Sequence, residues 1–191
     1  MEKSRIESTG SCELTYVQFN EVLNFSIATF YDSEGLVAAS FYKMIDNVDL
    51  ADEATRFQEL MEESKEVTSD NITSAIDSYN SGSALDITKL PRSSRSYSHN
   101  FYGDAQRALD AVECGVTVTY RELAALAGRP RAVRAAASAC ATNALPFFRP
   151  CHRVLRSDGT LGGYLYGLEL KKALIDHESS MKMNKIIQPA L

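Results

Sequence analysis

Pro150-Cys151-His152-Arg153-Val154 is the stretch of this 191-residue chain whose side-chain types suit nucleophilic chemistry. A thiol attacks as its thiolate, so a reactive cysteine needs a neighbour that takes its proton. His152 supplies an imidazole, while Pro150 fixes the backbone on the other side and donates no hydrogen bond. Adjacent side chains rarely face each other, so proton transfer from Cys151 to His152 is expected to run through a water. Gly159, Gly162 and Gly163, followed by Tyr164, make a loop able to close over whatever the cysteine attacks. A Cys-His pair alone is more often structural than catalytic, so the surrounding elements must decide.

Those elements are mostly helical from Phe101 onward. Ala105, Ala108, Leu109 and Val112 predict a helix over 101–113 with one apolar face. Thr119-Tyr120-Arg121-Glu122 is a capping box, with Thr119 starting a helix that runs to about Leu126 and stops at Gly128. Pro130 suits the first position of a second helix, predicted to continue to about Thr142 and to carry Arg131 and Arg134 on one face. Two short helices about a glycine turn form a helix-turn-helix. The second is nearly all small residues, which fits tight packing on neighbours as well as close approach to another surface. A last helix is predicted over Leu168–His177, with Glu178 just after it.

Upstream, Leu23–Phe30 and Leu36–Tyr42 are rich in β-formers and flank the turn Asp32-Ser33-Glu34-Gly35, which predicts a hairpin. Ala54, Phe57, Leu60 and Met61 mark a helix over 50–66, and Ala84–Ile87 a short strand. The polar run Pro91–Asn100 reads as a linker. The expected organisation is α/β: a small α/β N-terminal domain over 1–90, a linker over 91–100, a mostly helical domain with the helix-turn-helix over 101–180, and a tail over 181–191.

Val118–Gly128, Arg134-Ala135-Ala136, Asn143, Pro150–Val154, Gly163-Tyr164 and His177-Glu178 occur in one order, and together they resemble the C-terminal domain of the O6-alkylguanine-DNA alkyltransferases. The resemblance covers about residues 100–178. It implies single-turnover transfer of an alkyl group from O6 of guanine in DNA, or O4 of thymine, to Cys151, which inactivates the protein. It also implies a relay in which Glu178 orients His152, although Glu178 read alone could be a solvated terminal acid. Tyr120, otherwise a packed aromatic, becomes a proton donor to the leaving guanine. Asn143, otherwise a helix C-cap, becomes the tie between helix-turn-helix and cysteine loop. Pro146 and Gly163 would line the base pocket, and the carbonyls of Val154 and Cys151, with Tyr164 over them, would hold the flipped base. Arg134 would replace the flipped nucleotide in the minor groove, with Arg131 and Ala135 beside it at the DNA. The sequence departs from the family at Gln106, where an aromatic is usual, and at Arg149, where the position is usually aliphatic. It also has Ala137 and Ser138 where many members have two glycines.

Charge is uneven. Residues 1–90 carry a net −11, residues 91–178 a net +4, and the remainder +2. A basic second half suits phosphates, and it is also within the range of an ordinary surface. Cys12, Cys114, Cys140 and Cys151 show no C-x-x-C spacing and read as free thiols; neither zinc nor a cofactor is expected. No apolar run approaches the roughly 20 residues needed to span a bilayer, and the first residues have no apolar signal core. The expected setting is intracellular, nuclear in a eukaryote or cytoplasmic in a bacterium. The expected partner of a monomer is double-stranded DNA containing O6-alkylguanine. The rival readings are a non-catalytic lesion-recognition protein and a helix-turn-helix regulator, both of which bind DNA without taking up the alkyl group.

Overall fold

The computed structural model describes residues 12–15, 18–19, 23–32, 35–43, 69–82, 87 and 90–187. The hairpin forms as its β-rich runs dictate. Strand β3 (Leu23–Asp32) pairs antiparallel with β4 (Gly35–Lys43), from Phe25 opposite Lys43 to Asp32 opposite Gly35, with an irregularity at Phe30/Tyr31. On the other edge of β3 lie β1 (Cys12–Thr15) and β2 (Gln18–Phe19), both antiparallel. The helix predicted over 50–66 lies outside the described residues, as does most of the Ala84–Ile87 strand; Ile87 itself is buried in a 3₁₀ turn.

Helix α1 (Ser69–Asn80) was not anticipated in its Ser/Asn/Asp-rich segment. It buries Ile72, Ala75, Ile76 and Tyr79, an i, i+3, i+4, i+7 stripe that polar neighbours obscure in the sequence. Residues 91–98, read as a linker, are packed. Leu36 N donates to Pro91 O and Ser93 N to Leu36 O, both at 2.9 Å, so the segment extends the β4 edge as a parallel bridge. Ser93 and Ser96 are buried.

Helix α2 (Asn100–Asp110) ends before Val112, which is buried just beyond it. Gly103 is required where α2 meets the packed segment, because a Cβ there would sit 2.1 Å from the Ser98 carbonyl oxygen. The capping box at α3 (Tyr120–Leu126) is complete: Thr119 N donates to Glu122 Oε2 at 2.6 Å and Glu122 N to Thr119 Oγ1 at 3.2 Å. Helix α4 (Val133–Ala141) starts three residues later than predicted. Pro130 and Arg131 belong to the preceding turn, so Arg131 does not share a helical face with Arg134. Two short parallel strands, β5 (Val118–Thr119) and β6 (Val154–Leu155), tie this unit to the cysteine segment.

Helix α5 (Leu168–Ile187) corrects the predicted C-terminus. It runs through Glu178 and well past residue 181, where a tail was expected, and Met181 is buried. Two hydrophobic clusters result. One joins the sheet and α1 to Leu145, Phe147, Phe148 and the Leu170, Leu174 and Met181 face of α5. The other joins α2, α3 and α4 around Cys151 and Val154. The N-terminal elements therefore pack directly on the loop that precedes the cysteine.

Candidate active site

The cysteine loop leaves α4 at Asn143 and returns to the core at Cys151. Its carbonyls and amides are cross-tied: Leu145 N donates to Asn143 Oδ1 at 3.0 Å, Arg149 N to Leu145 O at 2.7 Å, and Cys151 N to Arg149 O at 2.8 Å. Asn143 Nδ2 donates both to Arg149 O at 2.8 Å and to Cys151 Sγ at 3.0 Å. The asparagine thus aims a donor at the sulfur while bracing the loop. Phe147 holds a left-handed backbone (φ 74°), a costly conformation for a bulky residue. Its ring is locked edge-on against Phe41, Tyr79 and Phe148, which offsets that cost. Ala39 N also donates to Ala144 O at 2.7 Å, fastening the loop to β4.

Cys151 opens a 3₁₀ turn, Cys151–Arg153, and is largely buried. Burial pushes its thiol above the ordinary value, while the Asn143 hydrogen bond and the charges of Lys171 and Arg149 act the other way. The resting group is a thiol, so reaction requires a base. His152 is fully buried, and its Nε2–H donates to Glu178 Oε1 at 2.9 Å; a carboxylate can only accept, which fixes the tautomer. Burial lowers the His152 pKa despite the raising effect of Glu178, so the ring is neutral. Its Nδ1 has no hydrogen-bond partner among the described residues and is the nitrogen able to accept a proton.

Glu178 is buried, which by itself would raise its pKa. The hydrogen bond from His152, its attraction once the ring is protonated, and the Arg153 contacts more than reverse this, and the carboxyl sits well below its usual range. Arg153 donates through Nε to Oε2 and through Nη2 to Oε1, both at 2.8 Å, and through Nη1 to Val112 O. Gly115 N and Tyr79 Oη complete the carboxylate's partners at 3.2 Å and 3.1 Å.

The sulfur faces a pocket of about 490 Å³ whose lining includes Tyr120, Asn143, Pro146, Cys151, Gly163 and Tyr164. Ala137, Cys140 and Ala141 of α4 and Leu165 and Tyr166 of the following loop complete an apolar wall. Burial raises the Tyr120 phenol, as do Cys140 and Cys151, so it stays a proton donor. Gly162, at φ 68°, lets the loop close on Tyr120, because a Cβ there would lie 3.2 Å from the Tyr120 hydroxyl. Burial pushes the Cys140 thiol well up, so this second pocket cysteine also rests protonated.

The Val154 side chain is buried in the helical core and is not part of the pocket's lining, while its carbonyl, the group expected to meet the base, accepts from Lys171 Nζ at 2.7 Å. Lys171 was missed. It is fully buried and donates also to the Leu161 carbonyl and, at 3.5 Å, to Gly163 O, pinning the glycine loop to β6. The signal was present in the sequence: Lys171, Leu174 and Glu178 fall at i, i+3, i+7 on one helical stripe. Arg131 and Arg134 are exposed and Ala135 half-buried, away from the sulfur pocket's lining.

Two of the departures from the expected pattern, Gln106 and Arg149, have partners. Gln106 is buried and exchanges hydrogen bonds with Ser98: Ser98 N donates to its Oε1 at 2.6 Å, and its Nε2 donates to Ser98 Oγ at 3.1 Å. Arg149 is fully buried, paired with Asp110 Oδ1 at 3.3 Å, donating to Ser96 O at 2.9 Å and Ser96 Oγ at 3.1 Å, with its guanidinium 4.4 Å from the Tyr97 ring centre.

Residues 100–180 match the family model for the 6-O-methylguanine DNA methyltransferase DNA-binding domain. Among curated relatives, the chain is 49% identical over 79 residues to the bifunctional transcriptional activator/DNA repair enzyme Ada of Escherichia coli, covering 41% of this chain and 22% of that one. It is 48% identical over 73 residues to the mouse methylated-DNA–protein-cysteine methyltransferase, covering 38% of this chain and 35% of the relative. The chain therefore spans well under two thirds of these relatives' lengths. Among solved structures, Mycobacterium tuberculosis OGT in complex with DNA superposes with a TM-score of 0.64 at 22% identity, covering 82% of this chain and 88% of that one. The O6-methylguanine-DNA methyltransferase of Pyrococcus kodakaraensis gives 0.67 at 23% identity, covering 88% and 99%. At these identities the likeness is one of fold.

Proposed function

We propose that this chain belongs, through residues 100–180, to the O6-alkylguanine-DNA alkyltransferase family and that it repairs alkylated DNA by direct reversal, a reading supported by the matched family model and the curated relatives. The alkyl group of O6-alkylguanine, or of O4-alkylthymine, moves to Cys151 in one turnover. The observation that carries the reading is Cys151 at the wall of a largely apolar pocket, held by Asn143 and followed by a buried His152–Glu178 pair.

The thiol proton passes to His152 Nδ1, and Glu178 balances the resulting imidazolium. The thiolate attacks the alkyl carbon, an S–C bond forms, and the C–O6 bond breaks with its electrons going to the base. Tyr120 donates a proton to the departing guanine as that charge develops. The product is a thioether. A thiolate leaves an unactivated carbon too poorly for water to restore it, so each molecule acts once.

On the DNA side, Arg134 stands exposed in the first turn of α4, with Ala135 beside it and Arg131 in the preceding turn. Small side chains let α4 approach the minor groove, and the planar Arg134 guanidinium fills the place of the flipped nucleotide. The partner is duplex DNA, the acting species a monomer without cofactor, and the setting the nucleus of a eukaryote or the cytoplasm of a bacterium. Among the described residues no helix is long and apolar enough to cross a membrane.

Incubation with an O6-methylguanine duplex followed by peptide mass mapping tests the reading. One methyl group per chain is expected, on the Cys151 peptide, and none in Cys151→Ala, which still binds the duplex. Label on Cys140, transfer by the Ala variant, or more than one methyl removed per chain would overturn it.

A further inference from the structure

Glu178 is crowded with donors. Its Oε1 accepts from His152, from Arg153 Nη2 and from Tyr79 Oη, and its Oε2 accepts from Arg153 Nε and Gly115 N. An ionised carboxylate offers about four lone-pair sites, so these five donations compete. Tyr79 stands apart from the rest because it comes from α1, outside the segment that carries the family signature.

Tyr79 is fixed in place by more than packing. It is 1% exposed, its ring stands edge-on to Phe147 at 4.8 Å, and the His177 ring lies 4.9 Å away. The His177 ring Nε2 is 2.8 Å from the Tyr79 carbonyl oxygen, locking α1 to the residue beside Glu178. Burial, and the proximity of Glu178, raise the phenol pKa well above its ordinary value, so the hydroxyl remains a donor throughout the accessible pH range.

We propose that Tyr79 is a positioning residue for alkyl transfer: its hydroxyl shares Glu178 Oε1 with His152 and so limits how strongly the carboxylate draws the imidazole toward its protonated form. The inference rests on the alkyl-transfer reading and gives the N-terminal half a direct part in it. A carboxylate that loses a donor becomes more basic toward the donors that remain. Without the Tyr79 hydroxyl, Glu178 pulls harder on the Nε2–H and the imidazolium is favoured. His152 is then already protonated at a pH where it should still accept the thiol proton. The other ionisable groups facing this cluster are Arg153 on the cysteine segment, Tyr164 on the glycine loop, Lys171 and His177 on α5, and Cys114 before β5. The removal of one hydroxyl leaves all of them in place.

The test is the pH dependence of single-turnover methyl transfer, measured on the full chain for the wild type and Tyr79→Phe, with melting temperature and duplex affinity alongside. Phenylalanine keeps the ring contacts to Phe147 and His177. The expected result is an acid limb displaced upward by about one pH unit with duplex affinity unchanged. An acid limb that does not move, or an equal loss at every pH that follows a lower melting temperature, would show that Tyr79 only packs. If the Phe variant melts below the assay temperature, 3-fluorotyrosine placed at 79 reads the same effect with opposite sign. Its stronger donor should move the limb to lower pH, and an unmoved limb overturns the proposal. A wild type that transfers no methyl at any pH instead removes the alkyl-transfer reading itself, a signature distinct from an unshifted limb.

Discussion

Cys151 is anchored on both sides by an acid that collects donors, and the two acids differ in what they hold. Downstream, Glu178 gathers Arg153, His152 and the Tyr79 hydroxyl. Upstream, Asp110 pairs with Arg92 and Arg149, each at 3.3 Å, and accepts from the Tyr97 hydroxyl at 2.7 Å. Each acid thus serves arginine and one tyrosine. Only Glu178 also holds a histidine, the side chain whose charge changes near neutral pH. The downstream anchor can therefore take part in proton movement, whereas the upstream one, built from guanidinium and phenol, can only hold position. The chemistry of the site resides on one flank of the cysteine and its rigidity on the other.

The largest test of this division is Glu178→Gln. It leaves the Arg153 charge buried and unpaired, a loss of about 3–5 kcal/mol in stability, read by chemical denaturation together with a transfer assay. The wild type should also lose stability on acidification in two stages. His152 has a folded pKa below its ordinary 6.5, so the unfolded chain binds the extra proton and stability falls as pH drops through that value. Glu178 has a folded pKa below its ordinary 4.5, so its contribution is full above that value and is lost as pH falls further toward the folded pKa. The Gln variant should lose the lower stage. An unchanged acid profile would mean that Glu178 is not the linked group.

Arg149→Leu addresses the upstream anchor. It leaves Ser96 O without this donor, while Asp110 keeps Arg92 and Tyr97. A cost of about 1–3 kcal/mol is expected from the unsatisfied buried group, with transfer slowed by a similar factor at every pH. A displaced acid limb in this variant would erase the distinction between the two flanks.

The smallest effect belongs to Tyr97→Phe, which removes one partly buried hydrogen bond to Asp110 and should cost about 0.5–1.5 kcal/mol. Its transfer profile should keep the wild-type acid limb. Tyr79→Phe makes the same chemical deletion on the other flank, so the pair compares the anchors atom for atom.

What was legible in the sequence was local. The hairpin, the Thr119–Glu122 capping box and the pair of helices about the glycine turn each depend on residues within a few positions of one another, and each is present, although the second helix of the pair is shorter than its pattern suggests. The α1 stripe was overlooked because Thr, Ser and Asp between Ile72 and Tyr79 read as loop-formers, although tertiary burial decides the outcome. Pro130 suits a first helical turn, but α4 begins only at Val133, since a proline that can start a helix does not compel one there. The partners of Gln106 and Arg149 were not readable, because nothing local in the sequence links Ser98 to the one or Ser96 to the other. Lys171 was readable in principle, but a lysine on a helix is taken for solvent unless its stripe is traced through Leu174 to Glu178.

The hydrogen bond from Ala39 to Ala144, with the docking of Phe147 on Phe41 and Tyr79, has a consequence for how this protein could be cut and recombined. The stretch recognisable as a module, 100–180, is smaller than the unit that shapes the Cys151 loop. A graft of that module onto a foreign host would carry the cysteine, the histidine and the glutamate. It would leave Phe147's left-handed turn without the Phe41 and Tyr79 rings that help to enforce it, and the loop would relax toward commoner backbone angles. The donor that Asn143 aims at the sulfur would then drift from its 3.0 Å station. Chimeras should therefore exchange the first half of the chain together with the second, and pairs of halves from unlike parents should fail first in the rate of the chemical step while they still grip DNA.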